Sequence, residues 1–221
     1  MTIKLAIFDL DGTLLDTIED LGRSCNHALE QCGYPTLDLA KYNKLVGRGI
    51  YNLFRGALPE GAKNEENVLK MKSFFIPYYT VHKSDYTKPY PGIVSMLEKL
   101  EAKGIALAIA SNKYQQGTEE LVKKYFPERR FVKISGQIDG KPIKPDPEIV
   151  FESMKAYGNI SPDEVLYAGD SDVDMQTGIN AGVTTAAVAW GFRTREELLS
   201  YSPWILAESA EELTEAILKH E

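Results

Sequence analysis

Apolar and polar residues follow one another along this chain in a pattern that predicts strands and helices in turn. The run Ile3 to Phe8 is rich in β-branched and aromatic side chains and ends at a turn containing Gly12, which is typical of a buried strand. Similar runs, separated by helical periodicity, are Ile105 to Ala110, Phe131 to Ile134, Val165 to Ala168, Thr184 to Ala189 and a short edge run, Trp204 to Leu206. Strands separated by helices indicate parallel pairing, and so an α/β fold with helices on both faces of the sheet.

The block from residue 16 to residue 85 has a different pattern, because it is helical throughout and contains no convincing strand. After a first helix that stops at residues 33–35, the predicted helical stretches are Asp38 to Leu45, Ile50 to Leu58 and Glu65 to His82. We therefore predict an all-helical insertion of residues 16–85 into an α/β core made of residues 1–15 and 86–221.

Composition and charge narrow the class of protein. The formal net charge of -7 argues against nucleic acid as the main partner, since phosphate backbones are bound through clustered Lys and Arg. The chain has no apolar run of about 18 residues, so the sequence predicts no transmembrane helix. Cys25 and Cys32 would lie about 10 Å apart on one helix, too far for a disulfide, so we expect reduced thiols and a cytoplasmic protein. A monomer or a small homo-oligomer is expected.

Chemically useful side chains follow several of the predicted strands. They are Asp9 and Asp11 after the first strand, Ser111 and Asn112 after another, Lys144 in a later loop, and Asp170 with Asp174 after a fourth segment. The carboxyl ends of parallel strands meet at one edge of a sheet, where open α/β folds bind their ligands. We therefore expect these acids, the hydroxyl and the lysine to share one crevice.

Simpler interpretations exist for some of these residues. Asp9 and Asp11 could be turn formers, because Asp and Gly populate turns for local reasons. Lys141 competes with Lys144, although the pattern Lys-Pro-x-Pro fits Lys144 alone. Asp172 is placed to cap a helix. His27 lies on a predicted amphipathic helix, and no catalytic role is predicted for it.

Crowded carboxylates repel one another, and a hard cation bound by oxygen ligands relieves that repulsion. The candidate ligands are the Asp9 and Asp170 side chains and the Asp11 carbonyl, with Asp174 holding a metal-bound water. Mg²⁺ is favoured because it keeps several waters and pairs with phosphate. With Lys144, Ser111 and backbone N–H groups, the ion would form a pocket for a phosphoryl group.

In order, these residues resemble the four motifs of the haloacid dehalogenase superfamily: residues 9–13, Ser111-Asn112, Lys144-Pro145, and Gly169-Asp170 with Asp174. The resemblance covers the whole chain and implies a Rossmann-like core, a helical cap and Mg²⁺-dependent phosphatase chemistry. It implies that Asp9 attacks phosphorus to give an aspartyl phosphate, and that Asp11 protonates the leaving oxygen and then deprotonates water. It also places Gly12, Thr13 and Asn112 beside the phosphate.

Within that superfamily the chain is similar to the phosphoglycolate phosphatase group, through residues 16–17, 26–29, 33–35 and 46–50. The resemblance implies a small phosphorylated metabolite as substrate, with phosphoglycolate first and sugar phosphates, nucleoside monophosphates and pyrophosphate behind it. Arg48 could then reach over the site to a substrate carboxylate or hydroxyl.

Other functions remain open at this point. Sugar phosphomutases of the same superfamily resemble this chain but tend to carry a cap histidine where this sequence has Leu21. Dehalogenases lack an acid where Asp11 stands, which disfavours that reaction. A phospholigand-binding module without catalysis is a third alternative, which no residue of the motifs favours.

Overall fold

The computed structural model describes residues 2–220 and is built on a six-stranded parallel sheet with the strand order β5-β4-β1-β6-β7-β8. The strands are β1 (Leu5–Phe8), β4 (Ala106–Tyr114), β5 (Phe131–Gln137), β6 (Val165–Gly169), β7 (Thr184–Val188) and β8 (Ile205–Ala207). The first strand of the chain lies between β4 and β6 and is buried throughout, which explains its purely apolar sequence.

Helices cover both faces of this sheet, and the predicted α/β fold class is confirmed. The helices that follow the cap are α4 (Ile93–Ala102), α5 (Gln115–Tyr125), α6 (Glu148–Tyr157), α7 (Asp172–Ala181), α8 (Arg195–Leu199) and α9 (Ala210–Leu218). Apolar residues of α4, α5 and α9 pack with Phe8 on one face, whereas Val150 of α6 packs with Ile7 on the other. Because successive side chains of β1 point to opposite faces of the sheet, this strand contributes to a separate hydrophobic core on each face.

The inserted segment forms a helical cap with a hydrophobic core of its own. Its helices are α1 (Ile18–Gln31), α2 (Ile50–Ala57) and α3 (Glu65–His82), with short 3-10 helices at Leu39–Lys44 and Glu60–Ala62. Leu21, Cys25, Phe54 and Phe75 belong to one buried cluster inside it. Tyr114 of β4 and Phe192 pack against this cluster from outside the cap, so the cap core also contacts the rest of the fold.

A short antiparallel ribbon joins the cap to the core. Strand β2 (Leu15–Asp16) on the outgoing chain pairs with β3 (Lys88–Pro89) on the returning chain. Next to this ribbon, the Asp20 carboxylate accepts hydrogen bonds from the backbone N–H groups of Tyr86 and Thr87 at 2.8–3.1 Å. The two connections are thus bound to each other at the base of the cap.

Two sequence predictions need correction. Strand β4 does not end at Ala110 but continues through Ser111, Asn112 and Lys113 to Tyr114, because Tyr114 still pairs with Gln137 of β5 beyond an irregularity in the register. Helix α8 was not predicted, although Thr194 caps it and Glu197 completes a capping box.

Both cysteines are free thiols, with Cys25 buried in the cap core. Among residues 2–220, no helix combines the length and the apolar character that crossing a bilayer requires.

Candidate active site

Three carboxylates meet at the carboxyl ends of β1 and β6. Asp9 directly follows β1 and donates its backbone N–H to the Ala168 carbonyl of β6 at 3.0 Å, so that the two strand ends are joined. Asp170 follows β6, and Asp174 lies in the first turn of α7. One oxygen atom of each of the three side chains lies within 4.8 Å of the others, and all three residues are buried. The sequence prediction that these acids share a crevice agrees with this arrangement.

Asp9 is the acid with the least satisfied environment. Its Oδ1 atom forms an ion pair with Lys144, whose Nζ lies 2.9 Å away, and no other described residue donates a hydrogen bond to this oxygen. Burial raises the pKa of Asp9 to about 7; the carboxylates of Asp174 and Asp11 add to this shift and Lys144 opposes it. Lys144 is thus the main group that compensates the burial of this carboxylate.

Lys144 carries the positive charge at the centre of this group. Its ammonium donates hydrogen bonds to Asp174 Oδ1 at 2.7 Å and to the Tyr167 hydroxyl at 3.0 Å. Burial alone would lower the pKa of Lys144, but Asp174 and Asp9 outweigh burial and raise this pKa well above its usual value. The rival Lys141 instead pairs with Glu152 on the surface.

Asp170 is held in place by groups from two distant loops. Its carboxylate accepts hydrogen bonds from Thr13 Oγ1 at 3.0 Å and from the Phe192 backbone N–H at 2.7 Å. Burial, with Asp174 and Asp9, raises the pKa of Asp170 well above its usual value. Gly12 has φ of +92° and packs so closely on this carboxylate that a Cβ atom there would overlap it. Gly12 and Thr13 therefore position Asp170.

Asp174 is more fully hydrogen-bonded than its two neighbours. Its Oδ1 atom accepts from Lys144 and Tyr167, and its Oδ2 atom accepts from the hydroxyl and backbone N–H of Ser171 in the capping box that begins α7. Because both oxygens are already engaged, Asp174 is better suited to fix Lys144 and a water than to bind a cation directly. We call Asp9, Lys144, Asp170 and Asp174 the acidic floor.

Asp11 lies beside the acidic floor and faces a lysine that the sequence analysis did not single out. Lys113 Nζ lies 3.1 Å from both carboxylate oxygens of Asp11, and the lysine side chain is only 3% exposed. Strand β4 continues past Ser111, so side-chain alternation puts Lys113 on the same face as Ser111. A longer predicted strand would have found it.

Ser111 and Asn112 differ in how far the hydrogen-bonding capacity of their side chains is already used within the protein. Ser111 lines the cavity above Asp9, and its Oγ accepts a long hydrogen bond of 3.3 Å from the Lys113 backbone N–H. The Asn112 amide instead donates to the carbonyls of Gly47 and Lys144 and accepts from the Lys144 backbone N–H. Asn112 thus ties the Lys144 loop to the cap.

Arg48 does not line the cavity. Its side chain is 55% exposed and forms an ion pair with Asp172, which the sequence analysis had considered as a helix cap. Arg193, which no sequence signal identified, contacts the same acid at 3.2 Å and donates to the carbonyls of Asn43 and Val46 in the cap. Arg193 therefore fastens the cap to the core, and Arg48 lies at the outer side of that contact.

The cap closes over Asp9 and leaves a small cavity of about 50 Å³ between cap and core. The core contributes Asp9, Asp11 and β4 residues 111–114. Cap side chains supply most of the rest, and we call five of them the apolar wall: Leu21, Val46, Ile50, Leu53 and Phe75. The site therefore combines a charged base with a largely apolar cover.

The acidic floor fits a hard divalent cation. The single ammonium of Lys144 faces three buried carboxylates, those of Asp9, Asp170 and Asp174, which repel one another in a site from which water is largely excluded. Carboxylate oxygens in this number suit Mg²⁺ better than a softer metal. Asp9, Asp170 and the Asp11 carbonyl are the groups that could hold such an ion.

Comparison with known proteins places the chain in a family. The family model of haloacid dehalogenase-like hydrolases matches residues 6–188. A phosphoglycolate phosphatase of Mesorhizobium japonicum is 30% identical over 98% of this chain and 99% of its own length. A phosphoglycolate phosphatase of Aquifex aeolicus is 32% identical over 86% of each chain.

A solved structure is similar over the full length. It is the crystal structure of a Lactobacillus delbrueckii subsp. bulgaricus protein whose name also refers to phosphoglycolate phosphatase, with a TM-score of 0.92, 32% identity and coverage of 100% of both chains. The α/β core and the inserted helical cap described above agree with these similarities. The chain therefore belongs to the haloacid dehalogenase-like hydrolase family, and it is an enzyme of the phosphatase group.

Proposed function

We propose that the protein hydrolyses a small phosphomonoester in a Mg²⁺-dependent reaction, with phosphoglycolate as the first candidate substrate. The observation that carries this proposal is the position of Asp9, which lies at the base of the cavity with Oδ1 2.9 Å from the Lys144 ammonium. A carboxylate that is held in place by its backbone and by an ammonium is suited to attack phosphorus.

In the proposed reaction, a carboxylate oxygen of Asp9 forms a bond to phosphorus while the bond from phosphorus to the ester oxygen breaks. Asp11, two residues further along the loop, gives its proton to the departing oxygen. It then takes a proton from the water that attacks the aspartyl phosphate, which releases phosphate and restores Asp9. Both acids line the same cavity, as the two roles require.

The other residues of the site bind and orient the phosphoryl group. The ammonium of Lys144, which lies 2.9 Å from Asp9, and the hydroxyl of Ser111, which lines the cavity, would neutralise and hold its oxygens. Asp9, Asp170 and the Asp11 carbonyl would hold Mg²⁺, with Asp174 holding a water and fixing Lys144. When bound, the ion supplies charge stabilisation and lets two anions, Asp9 and phosphate, approach each other.

We propose that residues 16–85 act as the cap domain over a core of residues 1–15 and 86–221. Cap residues form most of the cavity lining, so closure would exclude water and select the substrate. Phosphoglycolate is supported by the names of the relatives at 30% and 32% identity. The small cavity suits a substrate with a short leaving group.

The sugar phosphomutase alternative receives less support from the cavity. A mutase needs an acid-base group on the cap side, yet the Leu21 side chain is buried in the apolar wall at the position in question. Among the described residues that line the cavity from the cap, Tyr79 is the only one with an ionisable side chain. Hydrolysis is therefore the better-supported reaction.

The direct test is phosphate release from a panel of phosphomonoesters, with Mg²⁺ and with a chelator. We expect Mg²⁺-dependent turnover that Asp9→Asn lowers by more than about 10⁴-fold, because the variant removes the nucleophile. Asp139→Asn is a suitable control, since the Asp139 side chain is 76% exposed and does not line the cavity. Full activity of Asp9→Asn, or an inert wild-type protein across the panel, would refute the proposal.

A further inference from the structure

The cavity above Asp9 contains a single cationic side chain among the described residues that line it. That side chain is Lys113, and Leu21, Ile50 and Phe75 of the apolar wall line the same cavity. An ammonium in such surroundings interacts strongly with a nearby anion, because little water is present to screen it. The rest of the lining offers a substrate few other charged partners apart from Asp9 and Asp11.

The contacts of Lys113 leave part of its ammonium available. Two hydrogen bonds go to the two oxygens of Asp11, at 3.1 Å each, and the nitrogen lies 4.7 Å from the centroid of the Tyr79 ring. An ammonium has three N–H donors, and the described residues provide no acceptor for the third. A ligand that reaches Asp11 therefore also comes within reach of Lys113.

Tyr79 supplies a second and independent observation. It lies on α3 of the cap, is completely buried and lines the same cavity, yet its hydroxyl finds no hydrogen-bond partner in the described part of the chain. A buried hydroxyl without a partner is destabilising by itself. Its retention is explained if the partner is a ligand.

We propose that Lys113 and the Tyr79 hydroxyl together bind a carboxylate carried by the leaving group of the substrate. This inference rests on the proposed function, because it requires the leaving oxygen to lie beside Asp11. A carboxylate one carbon away from that oxygen would then lie between the core ammonium and the cap hydroxyl. Lys113 and Tyr79 are thus specificity-determining residues, which make a phosphorylated short carboxylic acid the preferred class of substrate.

The test compares two substrates of nearly equal size, phosphoglycolate and 2-hydroxyethyl phosphate, which differ in a carboxylate against a hydroxymethyl group. Phosphate release gives kcat and KM for each, and calorimetric titration of Asp9→Asn gives the binding of each without turnover. We expect wild type to prefer phosphoglycolate in kcat/KM by about 100-fold or more, which corresponds to two charge-assisted hydrogen bonds.

The variants are Lys113→Met and Tyr79→Phe, measured separately. We expect Lys113→Met to raise KM for phosphoglycolate by about 10- to 100-fold more than KM for 2-hydroxyethyl phosphate, and Tyr79→Phe to do so by about 5- to 10-fold. Lys72→Met is the matched control, because Lys72 also lies 4.7 Å from a tyrosine ring of the cap but does not line the cavity. It should leave the preference unchanged.

The outcomes separate this inference from the proposed function. Hydrolysis of both substrates with an unchanged preference in Lys113→Met and Tyr79→Phe would overturn the inference and leave the phosphatase intact. Preferential binding of phosphoglycolate to Asp9→Asn that Lys113→Met removes would support the inference even if wild type hydrolysed neither compound. If Lys113→Met does not fold, Tyr79→Phe decides the question, since it removes one unpaired oxygen and retains the ring.

Discussion

The acidic floor reaches the cavity through Asp9 and the apolar wall lines it from the cap, and the two are built in opposite ways. On the floor, Lys144, Asp170 and Asp174 are each held by hydrogen bonds from separate segments of the chain. The wall is held by packing within the cap, through side chains such as Phe75 that make no polar contact with the floor. The difference indicates that substitutions in the apolar wall can change the cavity lining without removing the hydrogen bonds of the acidic floor.

The strongest test of this comparison is the removal of the central charge of the acidic floor. We expect Lys144→Met to lower the free energy of unfolding by about 3–5 kcal/mol, because Asp9 and Asp174 lose their buried partner. Phosphatase activity should fall by about 100-fold or more. Chemical denaturation and phosphate release measure the two effects.

Lys141→Met is the matched control, because Lys141 lies three residues away and its ion pair with Glu152 is partly exposed. Its effect should stay below about 1 kcal/mol. Equal effects of the two variants would mean that the acidic floor is not organised around Lys144.

The second test uses the metal and pH. Since the pKa of Asp9 is raised to about 7, this carboxyl stabilises the metal-free fold fully below pH 4, and that contribution is lost as pH rises to 7. We expect Mg²⁺ at about 100 times its Kd to add about 2.7 kcal/mol at pH 7.5, and much less at pH 5 where protons compete for Asp9. Thermal melting with Mg²⁺ and with a chelator measures it, and an equal Mg²⁺ effect at both pH values would contradict it.

The third test concerns the contact that holds the wall over the floor. Arg193→Ala removes hydrogen bonds to Asp172 and to two cap carbonyls, and should lower the free energy of unfolding by about 2 kcal/mol. We also expect KM to rise, because the cap closes less often. Arg195→Ala is the control, since the Arg195 pair with Glu208 is exposed. A stability loss as large in the control would rule out a special role for Arg193.

The smallest expected effect on stability concerns two completely buried tyrosines of the cap. Tyr42 donates a hydrogen bond to Asn26 Oδ1 at 2.7 Å, whereas the Tyr79 hydroxyl has no partner among the described residues. Tyr42→Phe should cost about 1 kcal/mol, and Tyr79→Phe should be neutral or slightly stabilising. Thermal denaturation of the two variants measures this difference, and a reversed order would show that the Tyr79 hydroxyl supports the fold.

The acidic floor could be predicted from the sequence because strand ends carry its residues. An apolar run followed by Asp9, and another followed by Asp170, require only that the strands be parallel for the two acids to meet. Lys144 was harder to place, since it lies in a loop, but its Lys-Pro-x-Pro pattern separated it from Lys141.

Residues whose role depends on how the cap sits on the core could not be predicted in the same way. Arg48 is expected over the site but pairs with Asp172 instead. The direction of its side chain depends on this contact between distant segments, which the local sequence does not encode. Arg193 joins positions about 150 residues apart, which no local pattern encodes. Lys113 was missed for a different reason, namely that β4 was predicted too short.

The ribbon of β2 and β3 at the base of the cap has an evolutionary consequence. Because Leu15 and Pro89 are paired, the two chain connections to the inserted segment lie side by side at one place in the fold. A different helical segment inserted between Leu15 and Pro89 would bring its own hydrophobic core and would leave the order of the six-stranded sheet unchanged. Sequence changes confined to this one contiguous segment can therefore reshape the cavity lining while the pairing of the six strands is kept.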